Sequence, residues 1–236
     1  LPKNIEDVKK TIQFSQEHNI PILPRGGGTS QNGQTVNRAI VLDNSKYLNK
    51  IIEVDAINQT CLVEPGVVLD ELNRFLKPYG LWFPVDVSTS SRATIGGMAG
   101  NNSAGGRSIR YGIMRDNVMS IDALLSDASE AHFGLSKDNI SGLKSLFPKL
   151  MAIAEKNKNE IKTRFPKVLR RVGGYNLDAL LNDTLASRPG SIGTESDVNL
   201  SHLIVGSEGT LAYSIGIKLK LSPLPPPKVM ALCHFS

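Results

Sequence analysis

Apolar and polar positions divide the chain into short elements separated by stretches of small residues. Val8, Thr11, Ile12 and Ser15, with Ile5 before them, recur at the spacing of one helical face, which predicts a helix over 5–18. Asn4, three residues before Asp7, supplies an N-cap, and Glu6 and Asp7 suit the positive end of the helix dipole. Ile20–Leu23 and Ala39–Leu42 are short apolar runs that read as strands, and Ile51–Val54 with Thr60–Glu64 reads as a hairpin around Ala56–Gln59. Val68, Leu69, Leu72, Phe75 and Leu76 return to helical spacing until Pro78-Tyr79-Gly80 ends the helix. Asn117–Leu125 reads as a strand, Asp127–Asp138 as a polar segment with one turn, and 141–162 as helical, with Leu150, Ile153, Ala154 and Ile161 on one face. Residues 182–199 read as a polar loop and His202–Val205 as a strand. Ile215, Ile217, Leu219 and Leu221 alternate with Gly216, Lys218, Lys220 and Ser222, the pattern of a half-buried strand in antiparallel pairing. Pro223–Pro227 is a stiff exit.

Three stretches between these elements carry almost no large side chains. The first, Pro24–Thr35, holds Gly26, Gly27, Gly28 and Gly33 between two predicted strands. Backbone N–H groups in such a loop can converge on phosphate oxygens, because glycine admits both close approach and positive φ. Gly28 and Gly33-Gln34-Thr35 nearly fit a P-loop, but Gln34 stands where the phosphate-gripping lysine belongs. A dinucleotide fingerprint fails too, since Gln31 stands where the third glycine should be. Taken alone, the loop fits a phosphate nest and an ordinary glycine-rich turn equally well. The second stretch runs from Ser88 to Gly106 after Phe83–Val87, and the third is Gly206–Thr210. Small residues at that density let a backbone lie directly against a bulky ligand, and turns alone are a poor reason for two such stretches in one domain.

Composition narrows the chemistry. Lys and Arg exceed Asp and Glu by 27 − 22 = 5 among 236 residues, a mild excess compatible with an anionic ligand. No basic run is interleaved with stacking rings, so nucleic acid is not an expected partner. The basic residues of 156–171 read as a solvated helix face rather than a docking surface for an acidic partner. Cys61 and Cys233 lie far apart, and the four histidines are scattered, so no metal spacing arises and a reducing, cytoplasmic setting fits. Peripheral contact with a membrane stays open. There is no apolar run of the ~18 residues a membrane span needs, and no signal peptide is expected. The ends, Leu1-Pro2 and Cys233–Ser236, read as those of a domain cut from a longer chain. No serine-nucleophile elbow or Cys-x-x-Cys is present. Backbone-rich loops with few acid–base side chains suit a domain whose cofactor carries the chemistry.

In this order, the three stretches resemble the flavin-binding domain of the vanillyl-alcohol oxidase/p-cresol methylhydroxylase superfamily, particularly the FAD-linked D-2-hydroxy-acid dehydrogenases of D-lactate, glycolate and D-2-hydroxyglutarate type. Pro24–Ser30 with Asn32-Gly33-Gln34 resembles the pyrophosphate loop. Thr94–Gly97, Asn102, Gly105 and Arg110-Tyr111-Gly112 resemble the second motif, and Val205–Leu211 the third. Val172–Leu177 is similar to a segment of large members that also carry iron–sulfur modules. The resemblance implies an α+β fold of two subdomains, 1–57 and 58–222, the second built on an antiparallel sheet, with FAD between them and 223–236 leading toward a substrate-binding cap. It implies that Arg25, Gly26, Gly27, Gly28, Thr29, Ser30, Asn32, Gly33 and Gln34 hold the diphosphate. Arg25 serves there either as a charge or as a structural anchor. Pro84, Asp86, Thr94, Gly96, Gly97, Ala99, Asn102, Ala104 and Gly105 would line the rest of the cofactor's path, joined by Gly112, Glu208, Gly209 and Ile215. Glu208 has the alternative role of a capping carboxylate at a turn. Thr29 occupies the position where some members link FAD covalently to histidine, so noncovalent FAD is expected. The catalytic base, the 2-hydroxy-acid site and the electron acceptor would lie outside this chain, any iron–sulfur cluster too, and the fragment alone would be inactive. A nucleotide-binding regulatory module without redox activity remains the competing expectation. Gly27→Val is expected to abolish FAD retention by obstructing the diphosphate.

Overall fold

The structure is a computed structural model that describes residues 1–136, 141–168, 170–181, 197–227, 229 and 232. Asn4 caps the first helix as its spacing to Asp7 predicts: its side-chain oxygen accepts from the Asp7 amide at 2.9 Å. Helix α1 then runs Ile5–His18 with Val8 and Ile12 buried, and ends on Asn19 in the left-handed conformation. Strands β1 (Ile22–Arg25) and β2 (Ile40–Asp43) pair in parallel, Ile22 opposite Ile40. The first strand starts two residues later than its apolar run, since Pro21 has no amide to donate to a ladder.

The remaining elements follow in chain order. Strands β3 (Ile51–Asp55) and β4 (Thr60–Val63) form the expected hairpin, and α2 (Leu69–Leu76) follows. Next come β5 (Leu81–Trp82) and three short helices, α3 (Ile95–Gly100), α4 (Ser108–Tyr111) and α5 (Met114–Asn117). Strands β6 (Val118–Leu124) and β7 (Glu130–Phe133) form a second hairpin, trailed by α6 (Phe147–Lys156) and α7 (Lys158–Arg164). A helical turn, Ser201–Ile204, leads to β8 (Tyr213–Lys220) and β9 (Ser222–Pro223). Five strands make one antiparallel sheet in the order β3-β4-β8-β6-β7, as the alternation at 215–221 predicts for β8.

Several sequence expectations are corrected. The polar segment 127–138 contains β7, which pairs Ala131 with Ala123 and Phe133 with Ile121. Only those two residues turn inward, too few to stand out in a polar run. The helical pattern at 141–162 is two helices beginning at Phe147 and interrupted at Asn157, and Ile153 is 52% exposed rather than on the buried face. The apolar run 202–205, read as a strand, is mostly the helical turn Ser201–Ile204. Side chains decide this locally: Asn199 Oδ1 accepts from the Ser201 amide at 3.0 Å, and Ser201 Oγ donates to the Val118 carbonyl at 3.3 Å. Pro223, read as part of an exit, pairs with Leu81 instead. Of the loop read at 182–199, residues 182–196 lie outside the described residues.

Two apolar clusters hold the fold. The larger joins the five-stranded sheet to the helices through Val63, Leu72, Ile95, Met98, Ile121 and Ile217. The smaller packs Val8 and Ile12 of α1 on Leu42, Leu48, Leu124, Ala128 and Tyr213. Cys61 belongs to the larger one, and burial pushes its thiol up to about 12. At pH 8 it is therefore expected to resist a disulfide reagent in the folded protein and to react once urea unfolds it, which peptide mapping of the label at Cys61 will read. Labelling at the native rate of an exposed thiol would show this part of the core to be open. No helix among the described residues is long and apolar enough to cross a membrane.

Candidate cofactor site

The three small-residue stretches meet in one cleft of about 90 Å³. Arg25 and Gly26 come from the first, Gly96, Gly97 and Gly100 from the second, and Ser207, Glu208 and Gly209 from the third. Pro65, Asn44 and Tyr213 are among the other lining residues.

Helix α3 is the shared wall that brings them together. Thr94 caps it, its hydroxyl accepting from the Gly97 amide at 3.3 Å. On one side, the Ile95 and Gly96 amides donate to the carbonyls of Val67 and Pro65, both at 2.8 Å. On the other, the Gly206 amide donates to the Ala99 carbonyl at 2.9 Å and the Glu208 amide to the Gly100 carbonyl at 3.0 Å. The first loop closes onto the same wall. A Cβ at Gly26 would fall 2.0 Å from Thr94 Oγ1, and one at Gly27 would fall 2.1 Å from the Arg92 carbonyl oxygen. These two glycines are thus required by packing between protein segments, a different reason from the ligand approach that the sequence suggests. Gly27→Val would break this joint directly, so it cannot isolate a ligand effect.

The electrostatics of the cleft are mixed. The guanidinium of Arg25 folds back against Gly28, whose φ is +63°. Tyr213 donates its hydroxyl to Asn44 Oδ1, and burial holds the phenol far above its usual range, so this wall is neutral. Glu208 sits at φ +54°, where few L-residues go; the residue as a whole is exposed, but the desolvation its carboxyl meets at the cleft raises its pKa. Ser207 is 2% exposed, and its hydroxyl has no hydrogen-bond partner. Gln34 Oε1 is likewise buried without a partner. Buried polar groups rarely stay unpaired in a folded protein, so the Ser207 hydroxyl offers an unused partner to a group entering the cleft, while Gln34 lies on the first loop outside the residues that line it.

Other residues named from the sequence lie elsewhere. Asp86 is committed to the protein: its carboxylate accepts from the Arg107 amide at 3.0 Å, pairs with Arg107 Nε at 3.4 Å and packs on Gly105. Asn102 is fully buried and accepts from the Arg115 amide at 3.0 Å, so its side chain faces the interior. Gly112 packs on Asp116. Ile215 lies against the α1 cluster, and Pro84 is buried. Thr29, Ser30 and Ala104 are half-buried, whereas Asn32 and Gly33 are exposed on the first loop. Ala99 contributes its carbonyl to the wall. Sequence reasoning missed Gly100 and Ser207, which stand inside the recognised stretches, and Asn44, Pro65 and Tyr213, which no local pattern distinguishes.

Fold and site together define a flavin-cofactor module. Residues 1–134 match the family described as the FAD binding domain, more than half of the 236 residues, and the chain belongs to that family. Over 95% of its length it is 33% identical to the D-2-hydroxyglutarate dehydrogenase of Haemophilus influenzae, of which it spans 22%. It is 29% identical to the mitochondrial D-lactate dehydrogenase (cytochrome) of Arabidopsis thaliana, covering 100% of this chain and 32% of that protein. Among solved structures, an alkyldihydroxyacetonephosphate synthase matches with a TM-score of 0.61 at 21% identity, covering 96% of this chain and 34% of that one. The fold is accordingly the α+β FAD-binding fold of the p-cresol methylhydroxylase type.

Proposed function

We propose that the chain binds FAD noncovalently with its diphosphate in the cleft, and that the whole protein uses it to oxidise a D-2-hydroxy acid. The observation that carries this reading is the Ser207 hydroxyl, buried without a partner where all three small-residue stretches converge. A cleft of about 90 Å³ has room for a phosphate-sized group. Ser207 would donate to a phosphate oxygen, Arg25 would supply the positive charge, and Gln34 Oε1 would accept from a cofactor hydroxyl. A terminal-phosphate lysine is unnecessary at Gln34, because FAD ends in no free phosphate. Thr29 offers no ring nitrogen for a covalent link. Gly97, Gly209 and the α3 backbone would form the wall against which the cofactor lies, while Asp86, Asn102, Gly105 and Gly112 would hold that wall in place from behind. FAD, when bound, supplies an acceptor for the hydride of a substrate C–H bond.

The names of the two dehydrogenase relatives support a D-2-hydroxy acid as substrate. In this reading the cap, the catalytic base and the electron acceptor belong to other parts of the whole protein, and residues 1–57 and 58–222 act as two subdomains flanking the cofactor. The test is spectroscopic. Purified chain should show flavin absorption, or gain it when FAD is added, and release all of it on acid or heat treatment. A folded protein that stays colourless with excess FAD overturns the reading, and tight ATP binding without flavin binding would replace it with a nucleotide module.

A further inference from the structure

Residues 171–178 are tied to both ends of the third small-residue turn. Asn176, 1% exposed, makes the fixed end. Its side-chain amide donates to the carbonyls of His202 at 3.1 Å and Val205 at 2.8 Å, immediately before Gly206. Its oxygen accepts from Arg115 Nη1 at 2.9 Å and from Arg171 Nη2 at 3.3 Å. Both donors and both acceptor sites of the amide are therefore used, which fixes its orientation. Asp178 pairs with the same two arginines. Tyr175, 42% exposed, makes the other end: its hydroxyl lies 2.8 Å from Thr210 Oγ1. Thr210 already spends its one hydroxyl hydrogen on the Ser207 carbonyl at 2.6 Å, so Tyr175 must be the donor. Between the fixed end and the rest of the chain, Gly173 and Gly174 have open space around them.

We propose that residues 171–178 are a strap that holds the Gly206–Thr210 turn in its cofactor-binding shape, with Asn176 as the positioning residue and the Tyr175–Thr210 hydrogen bond as a latch. The proposal rests on the FAD reading for what the turn binds, and not for the strap itself. Ser207 sits between the two tie points, so loosening either one frees the hydroxyl that faces the cleft.

The test compares Tyr175→Phe, Thr210→Val, Thr210→Ser and Asn176→Asp in this chain. Two quantities are read: the rate of FAD release after dilution, and amide hydrogen exchange over 206–210 in the cofactor-free protein. Tyr175→Phe should speed release roughly three- to tenfold, the range one hydrogen bond supplies. Its cofactor-free melting temperature should not move, because Tyr175 stands at the surface. Thr210→Val also loses the hydrogen bond to the Ser207 carbonyl, so it should speed release at least as much as Tyr175→Phe, and Thr210→Ser should restore release to the parent rate, while Tyr175→Phe combined with Thr210→Val should add nothing beyond Thr210→Val alone. Asn176→Asp keeps the acceptors but loses both donations, and should raise exchange at 206–210. Unchanged release and unchanged exchange in Tyr175→Phe overturn the strap, even if Asn176→Asp fails to fold. Parent chain that takes up no FAD overturns the cofactor reading instead, and exchange over 206–210 then decides the strap alone.

Discussion

Replacing Gly100 with Val is expected to weaken FAD binding about 10- to 100-fold, the equivalent of the ~1–3 kcal/mol that overfilling a packed site costs, with the cofactor-free protein as stable as the parent. Gly100 ends α3 and lines the cleft, and a Cβ there would come no nearer than 3.8 Å to Glu208 Cα, which is ordinary contact. The protein thus has room for the first atom of a side chain, and the rest would occupy a cleft of only about 90 Å³. Gly27→Val supplies the contrast. There the added atom lies 2.1 Å from the Arg92 carbonyl oxygen, so the joint between the first loop and the second stretch must open before any ligand arrives. Titrating FAD fluorescence and melting both cofactor-free variants separates the two cases. Gly100→Val should lose affinity and keep its melting temperature, while Gly27→Val should lose both. Full affinity in Gly100→Val would remove the cofactor from this cleft.

The contrast between these two glycines shows where the sequence is legible and where it is not. Elements with one buried face announce themselves by period, and α1, α2, β4 and β8 stand within a residue or two of their apolar patterns. Strand β7 buries only Ala131 and Phe133, so its period drowns in polar residues. The turn 201–204 is helical because of Asn199 and Ser201 side chains bonded across the fold, which no local propensity contains. At the site, density of small residues marks the right three stretches, because backbone lying close to any neighbour requires them. It does not reveal the neighbour. A side chain at Gly26 or Gly27 would run into protein, although Gly26 also lines the cleft, whereas Gly100 lines it with space to spare; Asn102 turns its side chain to the interior and Asp86 spends its carboxylate on Arg107, all within or beside stretches that look alike in sequence. The buried arginine network left no signal at all, since Arg115 lies in a run whose other charged and polar residues give no hint that it is 1% exposed.

That network yields the second large effect. Asp178→Asn is expected to destabilise the protein by about 3–5 kcal/mol, because it strips the carboxylate from two guanidiniums that are already out of water. Arg115 and Arg171 have side chains only 1% and 9% exposed, and both pair with Asp178. Burial lowers the Arg115 pKa from its usual value, and the nearby Asp178 charge is what chiefly opposes that shift. Beside it, His202 is held neutral down to about 3, first by burial and then by Arg115, and so adds no further positive charge to the pair. Arg115→Met should cost clearly less than Asp178→Asn despite removing the larger side chain. Arg115 Nε and Nη2 make no hydrogen bond, so the substitution also removes two unsatisfied buried donors, while Asp178 keeps Arg171. Urea unfolding of the two variants decides the matter by their order. If Arg115→Met proves the more damaging, packing rather than charge pairing holds this corner, and the strap that runs through Asn176 is anchored by shape alone.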